Sequence, residues 1–286
     1  MGASIKKIKT KMQATQKTSQ ITKAMNMVSA SKLRGAETAI KNYIPFIEKI
    51  EEILANLLMA DFFVKHPLLV EREIKKTCYI LITSERGLAG PFNNNLFKKL
   101  EAEIAVNKNF VVAPLGTKGY LYCHRNKHPL LIEEHIILRD DVNFSDVAIA
   151  IKEAVLGYAR QDFDSVKVIY NHYVNTLTQV VLVKQMLPVV NGFKEMKTNS
   201  IYDFEGGVAN ILDEVLPLYV ENLIYGLVLD SKAAEHASRM VAMKSATDNA
   251  EDIIEKLELM YNRARQAAIT LELTDIIGGA SSVSTS

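Results

Sequence analysis

The sequence has few of the features that mark secreted, metal-binding or membrane-spanning proteins. It contains only two cysteines, Cys78 and Cys123, and their separation of 45 positions suggests neither a zinc pair nor a disulfide framework. The basic amino terminus lacks the continuous apolar core of a signal peptide. Uncharged apolar stretches such as residues 223–229 are far too short to cross a bilayer. These absences predict a cytosolic protein with reduced thiols and no membrane span.

Acidic side chains are missing from the start of the chain, although the formal net charge of the whole protein is only +1. Residues 1–36 carry eight lysines and arginines, and the first acidic residue is Glu37. Residues 230–286 have the opposite bias, with six basic and nine acidic residues. The basic segment therefore either complements an acidic partner helix or forms a basic sleeve that faces acidic loops of a surrounding protein. We define the basic sleeve as Lys9, Lys11 and Lys23.

Residues 4–58 predict one very long helix with a heptad seam, that is, a stripe of side chains that recurs at alternating steps of three and four. Such a seam is typical of a left-handed coiled coil. Its two ends are apolar, whereas positions 15–29 are small or polar. Pro45 conflicts with the pattern and is expected to kink or interrupt the helix. The seam consists of Ile5, Ile8, Met12, Thr15, Ser19, Thr22, Asn26, Ser29, Leu33, Ala36, Ile40, Tyr43, Ile47, Ile50, Leu54 and Leu57.

Residues 61–206 change to an alternation of short β-rich and helical stretches. This alternation favours a Rossmann-like α/β domain with a largely parallel sheet. The predicted hairpin turns through Asn175, and Ser145 is the predicted N-cap of its helix. Strands are predicted at residues 76–84, 110–115, 130–138, 166–173 and 177–187. Helices are predicted at residues 91–107, 117–125 and 145–159.

Residues 207–286 predict a second long helix to about residue 277, followed by a disordered tail from Gly278. Neither long helix can bury its stripe alone. We therefore expect residues 1–60 and 207–286 to form one discontinuous domain, a left-handed antiparallel coiled coil into which the α/β domain is inserted. The many alanines and serines of residues 231–250 would let two helices approach closely. The predicted seam of the second helix is Met243, Ala246, Ala250, Ile253, Leu257, Met260, Ala264, Ala267 and Leu271.

No group of residues in the sequence indicates catalysis. The turn of residues 84–90 stands between a strand and a helix, as a phosphate cradle does, but it lacks both glycine-rich nucleotide motifs and is interpreted as structural. Cys123, His124 and His128 resemble a metal cluster, yet Pro129 ends any helix there and no neighbouring carboxylate is evident. A G-x-S-x-G nucleophile turn is also missing. We expect no catalytic, cofactor or metal site on this chain.

Three stretches resemble the most recognisable motifs of the ATP synthase γ subunit. Residues 21–32 read ITKAMNMVSASK, and residues 239–250 read RMVAMKSATDNA. The second motif continues in residues 261–270 as YNRARQAAIT, and residues 84–90, SERGLAG, resemble the mid-chain turn of the family. The resemblance extends to Ile276 and is weaker in residues 100–205. Two departures are Leu271, where many members carry glutamine, and Glu85, which replaces the usual aspartate.

The resemblance implies a non-catalytic central rotor of a proton-transporting ATP synthase, at the cytoplasmic face of a bacterial-type cell membrane. The rotor would turn inside three α and three β subunits, which hold Mg-ATP and ADP, and would meet the ε subunit and the membrane c-ring. By position, six residues would contact the surrounding subunits: Met25, Lys32, Arg265, Gln266, Thr270 and Glu272. Four residues would contact the ε subunit and the c-ring: Tyr202, Asp203, Phe204 and Glu205.

Two other functions remain compatible with parts of the sequence. A basic coiled-coil module would bind nucleic acid by tracking phosphates, but residues 1–36 contain no aromatic side chain to stack on bases. An α/β nucleotide-binding enzyme would use the long helices for oligomerisation. Binding that weakens steeply with salt would favour the former, and thermal protection by nucleotide would favour the latter.

Overall fold

The computed structural model of the protein describes residues 2–60, 66–189 and 207–283. The chain forms two compact units, the first from Met1–Val28 with Met240–Ser286 and the second from Ser29–Arg239. Both boundaries fall within long helices, whereas the sequence analysis places domain boundaries near residues 60 and 207. Among the described residues, we find no helix with the length and apolar character of a membrane span.

Helix α1 (Gly2–Ala60) confirms the long helix that the sequence predicts at the start of the chain. It runs through Pro45 without interruption. Every residue of the predicted α1 seam, from Ile5 to Leu57, is buried or half-buried, and most residues between them are exposed. The heptad pattern therefore identified the buried face of α1 correctly.

Helix α5 (Val208–Val283) is longer than predicted and also passes through an internal proline, Pro217. The prediction of a disordered tail from Gly278 is wrong as far as Val283, because the helix continues to that residue. Once a helix has formed, each added residue contributes a backbone hydrogen bond, and this offsets the low helix propensity of two glycines.

The buried stripe of α5 after Met240 differs from the predicted seam at several positions. Met243, Ala250 and Leu257 are buried as expected. Ala246 is half-buried and Leu271 is 45% exposed. The predicted positions Ile253, Met260 and Ala267 are also exposed, with 43% exposure at Ile253 and 56% at Met260. The observed stripe instead includes the residue that follows each of them, and its members are Met243, Thr247, Ala250, Ile254, Leu257, Tyr261, Ala264 and Ala268. The predicted seam and the observed stripe are hard to distinguish from sequence, because apolar residues stand at adjacent positions in this part of α5.

A four-stranded sheet lies within the second unit. It consists of β1 (Thr77–Ile82), β2 (Phe110–Leu115), β3 (Ser165–Tyr173) and β4 (Gln179–Leu187). The strand order is β2-β1-β3-β4, with β1 parallel to β2 and β3, and β4 antiparallel to β3. All six residues of β1 are buried, as is typical of a parallel strand that is covered on both faces. Its alternate side chains enter two separate apolar clusters.

Helices α2 (Phe92–Val106), α3 (Thr117–Arg125) and α4 (Phe144–Ala159) confirm the alternation of strands and helices. The predicted hairpin is also confirmed, and the side-chain oxygen of Asn175 accepts hydrogen bonds from the backbone N–H groups of its turn.

Two local predictions about the α/β region are wrong. Residues 130–138 form no strand, since only Leu130 and Ile136 make single bridges to β2. Helix α4 is capped by Asn143 and not by Ser145, and the N–H of Asn143 donates to the Asp146 carboxylate at 2.9 Å. That contact satisfies the backbone N–H of the cap residue itself.

Candidate functional site

Nine consecutive residues of α5, Ser231–Arg239, are buried on every side of the helix. The side chains of Ala233, Ala234 and Ala237 are fully buried, and their small size lets neighbouring segments approach the helix backbone closely. A helix that is buried all round normally carries apolar residues. This segment instead holds several ionisable groups, which must be paired to be tolerated there.

Glu235 stands at the centre of a buried ion cluster. Its carboxylate lies 3.0 Å from the Lys232 ammonium and 2.7 Å from the Arg239 guanidinium. The side chains of Lys232 and Glu235 are each only 3% exposed. Removing one partner of such a group leaves a buried charge without compensation, which commonly costs about 3–5 kcal/mol. We define Lys232, Glu235 and Arg239 as the α5 ion cluster; sequence analysis missed it because charge near a helix seam usually indicates a solvated face.

Both cations of the α5 ion cluster also reach backbone carbonyls outside their own helix. Lys232 Nζ donates to the carbonyl oxygen of Leu138 at 3.0 Å, and Arg239 Nη2 is 3.4 Å from that of Arg86. Ser238 adds a third contact of this kind, because its hydroxyl donates to the carbonyl oxygen of Ala89 at 2.7 Å. The helix therefore holds two loops through directed contacts with their carbonyl groups.

These contacts bear on the turn of residues 84–90, which follows β1 at the carboxyl end of a parallel strand. Ligands of open α/β sheets bind at that end, and a phosphate cradle presents free N–H groups. In this turn the N–H of Ser84 already donates to Asn93 Oδ1 at 3.1 Å, and the carbonyls of Arg86 and Ala89 receive hydrogen bonds from α5. Hydrogen bonds from α5 and to Asn93 of α2 therefore hold the turn.

Glu85 ties the same turn to two further segments. Its carboxylate accepts hydrogen bonds from the hydroxyl and the N–H of Thr117 and from the N–H of Leu138. Burial by itself raises the pKa of Glu85, but these hydrogen bonds stabilise the charged form and bring the pKa below its usual value. The Glu85 side chain thus joins the turn to Thr117 and Leu138.

Lys32, a predicted contact residue, forms an ion pair with Asp140 within the second unit. Burial raises the pKa of Asp140, but the hydrogen bond and the charge of Lys32 outweigh burial and lower it. His236 Nε2 lies 3.9 Å from the same carboxylate, and burial lowers the pKa of His236 to about 4, so that its ring is neutral near pH 7. A cleft of about 700 Å³ opens beside this pair, lined by Lys32, Glu85, Arg86 and residues 137–141.

The other predicted contact residues lie on the helices of the first unit. Met25 is half-buried on α1, and the basic sleeve is exposed there. Four predicted contact residues of α5 are exposed along one stretch of the helix, and they are Arg265, Gln266, Thr270 and Glu272. The predicted contact at Tyr202, Asp203, Phe204 and Glu205 lies outside the described residues.

Polar contacts join α1 and α5 within the first unit. The hydroxyl oxygens of Thr22 and Thr247 are 2.7 Å apart, and Asn26 Nδ2 donates to the carbonyl oxygen of Met240 at 2.7 Å. Thr22 and Thr247 are both buried. Two polar residues of the α1 seam, Thr22 and Asn26, therefore find hydrogen-bond partners on α5.

One of the residues that resemble a metal cluster, His128, has a carboxylate partner. His128 Nε2 lies 2.9 Å from Glu101 of α2, a carboxylate neighbour that the sequence analysis did not find. Only the fold places these two groups together, because 27 positions separate them. Cys123 is fully buried, and burial raises the pKa of its thiol to about 12, which disfavours the thiolate that metals bind.

Over residues 4–283 the chain matches the family model described as ATP synthase. Among similar solved structures is the central stalk and c-ring of the Tetrahymena thermophila mitochondrial ATP synthase, with 28% identity and a TM-score of 0.61, covering 79% of this chain and 99% of that one.

Two similar chains come from the mitochondrial ATP synthase of Euglena gracilis. One, from the rotor in rotational state 1, has 18% identity and a TM-score of 0.68, with 94% of this chain and 100% of that chain covered. The other, from the OSCP/F1/c-ring assembly in rotational state 3, has 18% identity and a TM-score of 0.70, with 99% and 95% covered. At that identity these two show a shared fold. Because the family model matches nearly the whole chain, the protein belongs to the ATP synthase family, in the lineage of γ subunits that form the central rotor shaft.

Proposed function

We propose that this chain turns inside a ring of three α and three β subunits and couples proton flow through a membrane c-ring to ATP synthesis and hydrolysis. The observation that carries the proposal is the family match over residues 4–283, which includes both long helices and the sheet. In this role the chain has no catalytic site and no bound cofactor, and Mg-ATP and ADP bind to the partner subunits. It is held peripherally at the cytoplasmic face of a bacterial-type cell membrane.

The shaft itself is a left-handed antiparallel coiled coil of α1 and α5 in this proposal. Two features support it: the buried stripes of both helices follow alternating steps of three and four, and hydrogen bonds join the helices at Thr22 and Asn26. These two residues pair with Thr247 and Met240 respectively, so the partner position decreases along α5 as the position on α1 increases. That order is the one expected of antiparallel helices.

The contact surfaces follow from the family resemblance. Met25, Lys32, Arg265, Gln266, Thr270 and Glu272 meet the surrounding α and β subunits in this proposal, and Tyr202, Asp203, Phe204 and Glu205 meet ε and the c-ring. The exposed apolar side chains near the end of α5 support a protein environment for that segment, since contiguous exposed apolar surface commonly marks an interface. They are Ile269, Leu271, Leu273, Ile276 and Ile277.

Purification of the tagged chain from its native cells in mild detergent tests the proposal. We expect it to bring down two different P-loop subunits, each in molar excess over this chain, together with ATPase activity. Recovery of the chain with nucleic acid and without ATPase activity would support the nucleic-acid module instead. If the chain is recovered without any partner, and nucleotide raises its melting temperature, the result would support the enzyme interpretation.

The basic sleeve supplies a prediction about ionic strength. Replacing Lys9, Lys11 and Lys23 with Gln should weaken coupling of ATP hydrolysis to proton transport more at low salt than at high salt. The reason is that the Debye length falls from about 30 Å at 0.01 M to about 8 Å at 0.15 M, which screens the attraction to acidic loops even in the unmodified protein. Vesicles that contain the whole complex allow the measurement at both salt concentrations.

A matched control for the sleeve replaces three exposed lysines of the second unit, Lys75, Lys108 and Lys127, with Gln. The control makes the same change in net charge, so it should not alter the salt dependence of coupling. A sleeve variant whose loss of coupling is the same at both salt concentrations would contradict the electrostatic role.

A further inference from the structure

The α5 ion cluster does more than neutralise its own charges. Its two cations each donate to a carbonyl of a different loop, Lys232 to Leu138 and Arg239 to Arg86. Glu235 contacts both cations from a single carboxylate, one oxygen to each. The Glu235 carboxylate thereby orients both cationic side chains, although it does not itself contact the carbonyl groups of the loops.

The loop that contains Leu138 is also bound by a residue of α1. Lys32 of α1 pairs with Asp140, which is two residues after Leu138. The segment of residues 138–140 is thus bound by a cation from α1 and by a cation from α5, and His236 of α5 also faces Asp140. All of these residues belong to the second unit.

From this arrangement we propose that Glu235 is a positioning residue for torque transmission, because it holds Lys232 and Arg239 in the directed contacts that lock α5 to the loops beside the sheet. The inference rests on the proposed rotor function. The hydrophobic effect is non-directional, so by itself it sets no preferred orientation between two surfaces. Charge-assisted hydrogen bonds resist sliding because their strength depends steeply on distance and angle. A rotor that transmits torque needs such a fixed connection between α5 and the loops that it contacts.

Burying three charged side chains carries a desolvation penalty, which suggests that the cluster has a role besides stability. A well-packed apolar group of similar volume commonly replaces a buried ion triad with equal or greater stability. Stability alone therefore gives no reason to keep two cations and a carboxylate in a segment where Ala233, Ala234 and Ala237 are fully buried. The directed contacts with the loops give a reason to keep these charged residues.

The test replaces the whole cluster with apolar residues, Lys232→Met, Glu235→Leu and Arg239→Met together, in the complete complex reconstituted in vesicles. We expect the melting temperature of the free chain and the rate of ATP hydrolysis to stay near those of the unmodified protein. Uncoupled turnover, measured as ATP hydrolysed without ion transport, should rise about tenfold, the factor that corresponds to about 1.4 kcal/mol of lost contact free energy. Angular fluctuation of a probe fixed to the chain in the stalled complex should increase as well.

The matched control removes an exposed ion pair that does not involve α5, through Glu153→Gln with Arg160→Gln. Those side chains are 37% and 56% exposed and lie 3.2 Å apart, so coupling and angular fluctuation should not change. A triple variant with unchanged coupling and fluctuation would overturn the proposal. A triple variant that fails to fold would also overturn it, because the cluster would then be a requirement of folding. Absence of rotation in the unmodified complex would instead refute the proposed function.

Discussion

Replacing Leu257 with Asp is expected to lower the free energy of unfolding of the first unit by about 4 kcal/mol, because the change combines a lost buried leucine with a carboxylate in an apolar seam. Leu257 is 6% exposed and lies in the observed buried stripe of α5. Urea unfolding of the full chain, followed by helical circular dichroism, measures the effect.

The control for this prediction lies two residues further along the same helix. Leu259 is 55% exposed, and Leu259→Asp should change the unfolding free energy by less than about 1 kcal/mol. The neighbouring pair Ile253 and Ile254 tests the phase of the stripe directly, since an aspartate at Ile254 should destabilise more than one at Ile253. Equal effects at Leu257 and Leu259 would mean that α5 buries no defined stripe after Met240.

Replacing Gly116 with Ala should destabilise the second unit by about 3 kcal/mol or more, because the substitution combines backbone strain with a steric clash. Gly116 has φ of 94° and ψ of 147°, a conformation that is essentially restricted to glycine. An added Cβ would stand 2.6 Å from the carbonyl oxygen of Thr83 and 3.0 Å from its hydroxyl. Thr83 is held by hydrogen bonds to Leu115 and Gly119, so it cannot move aside cheaply.

Gly35→Ala provides the matched control for Gly116→Ala. Gly35 lies in α1, and an added Cβ there would meet no atom within 4 Å. Since alanine is the better helix former, this change should raise the unfolding free energy by up to about 1 kcal/mol. Thermal unfolding of both variants measures whether the Gly116 change destabilises the protein while the Gly35 change does not. A Gly116→Ala protein as stable as the original would show that the turn after β2 can adopt another conformation.

The long helices and most strands could be predicted because their patterns are local and extended. Because the seam continues from Ile5 to Leu57, only one face of α1 is suited to burial, and the structure confirms that this face is the buried one. Strand β2 was predicted with its observed ends, Phe110 and Leu115, because the run is apolar and is bounded by a polar segment and a glycine. Such signals need no knowledge of the partner element.

Two of the wrong predictions, the phase of the α5 stripe and the strand at residues 130–138, depended on a partner that the sequence does not identify. Ile253 and Ile254 are equally apolar, so only the packing of α5 decides which of them is buried. The stretch of residues 130–138 has enough apolar character for a strand, but it meets β2 at two isolated points and makes no continuous ladder. A strand exists only where a neighbour supplies successive backbone partners.

The sequence by itself determined the family, the two long helices with the buried face of α1, and the alternation of strands and helices between them. These features arise from periodicity and from motifs that are contiguous in the chain. The tertiary structure alone decided the burial of the α5 ion cluster, its contacts with Leu138 and Arg86, and the pairing of Lys32 with Asp140. The contacts with Leu138, Arg86 and Asp140 join residues about 90 to 150 positions apart, and charged residues are mostly exposed, so the sequence alone predicts a solvated cluster.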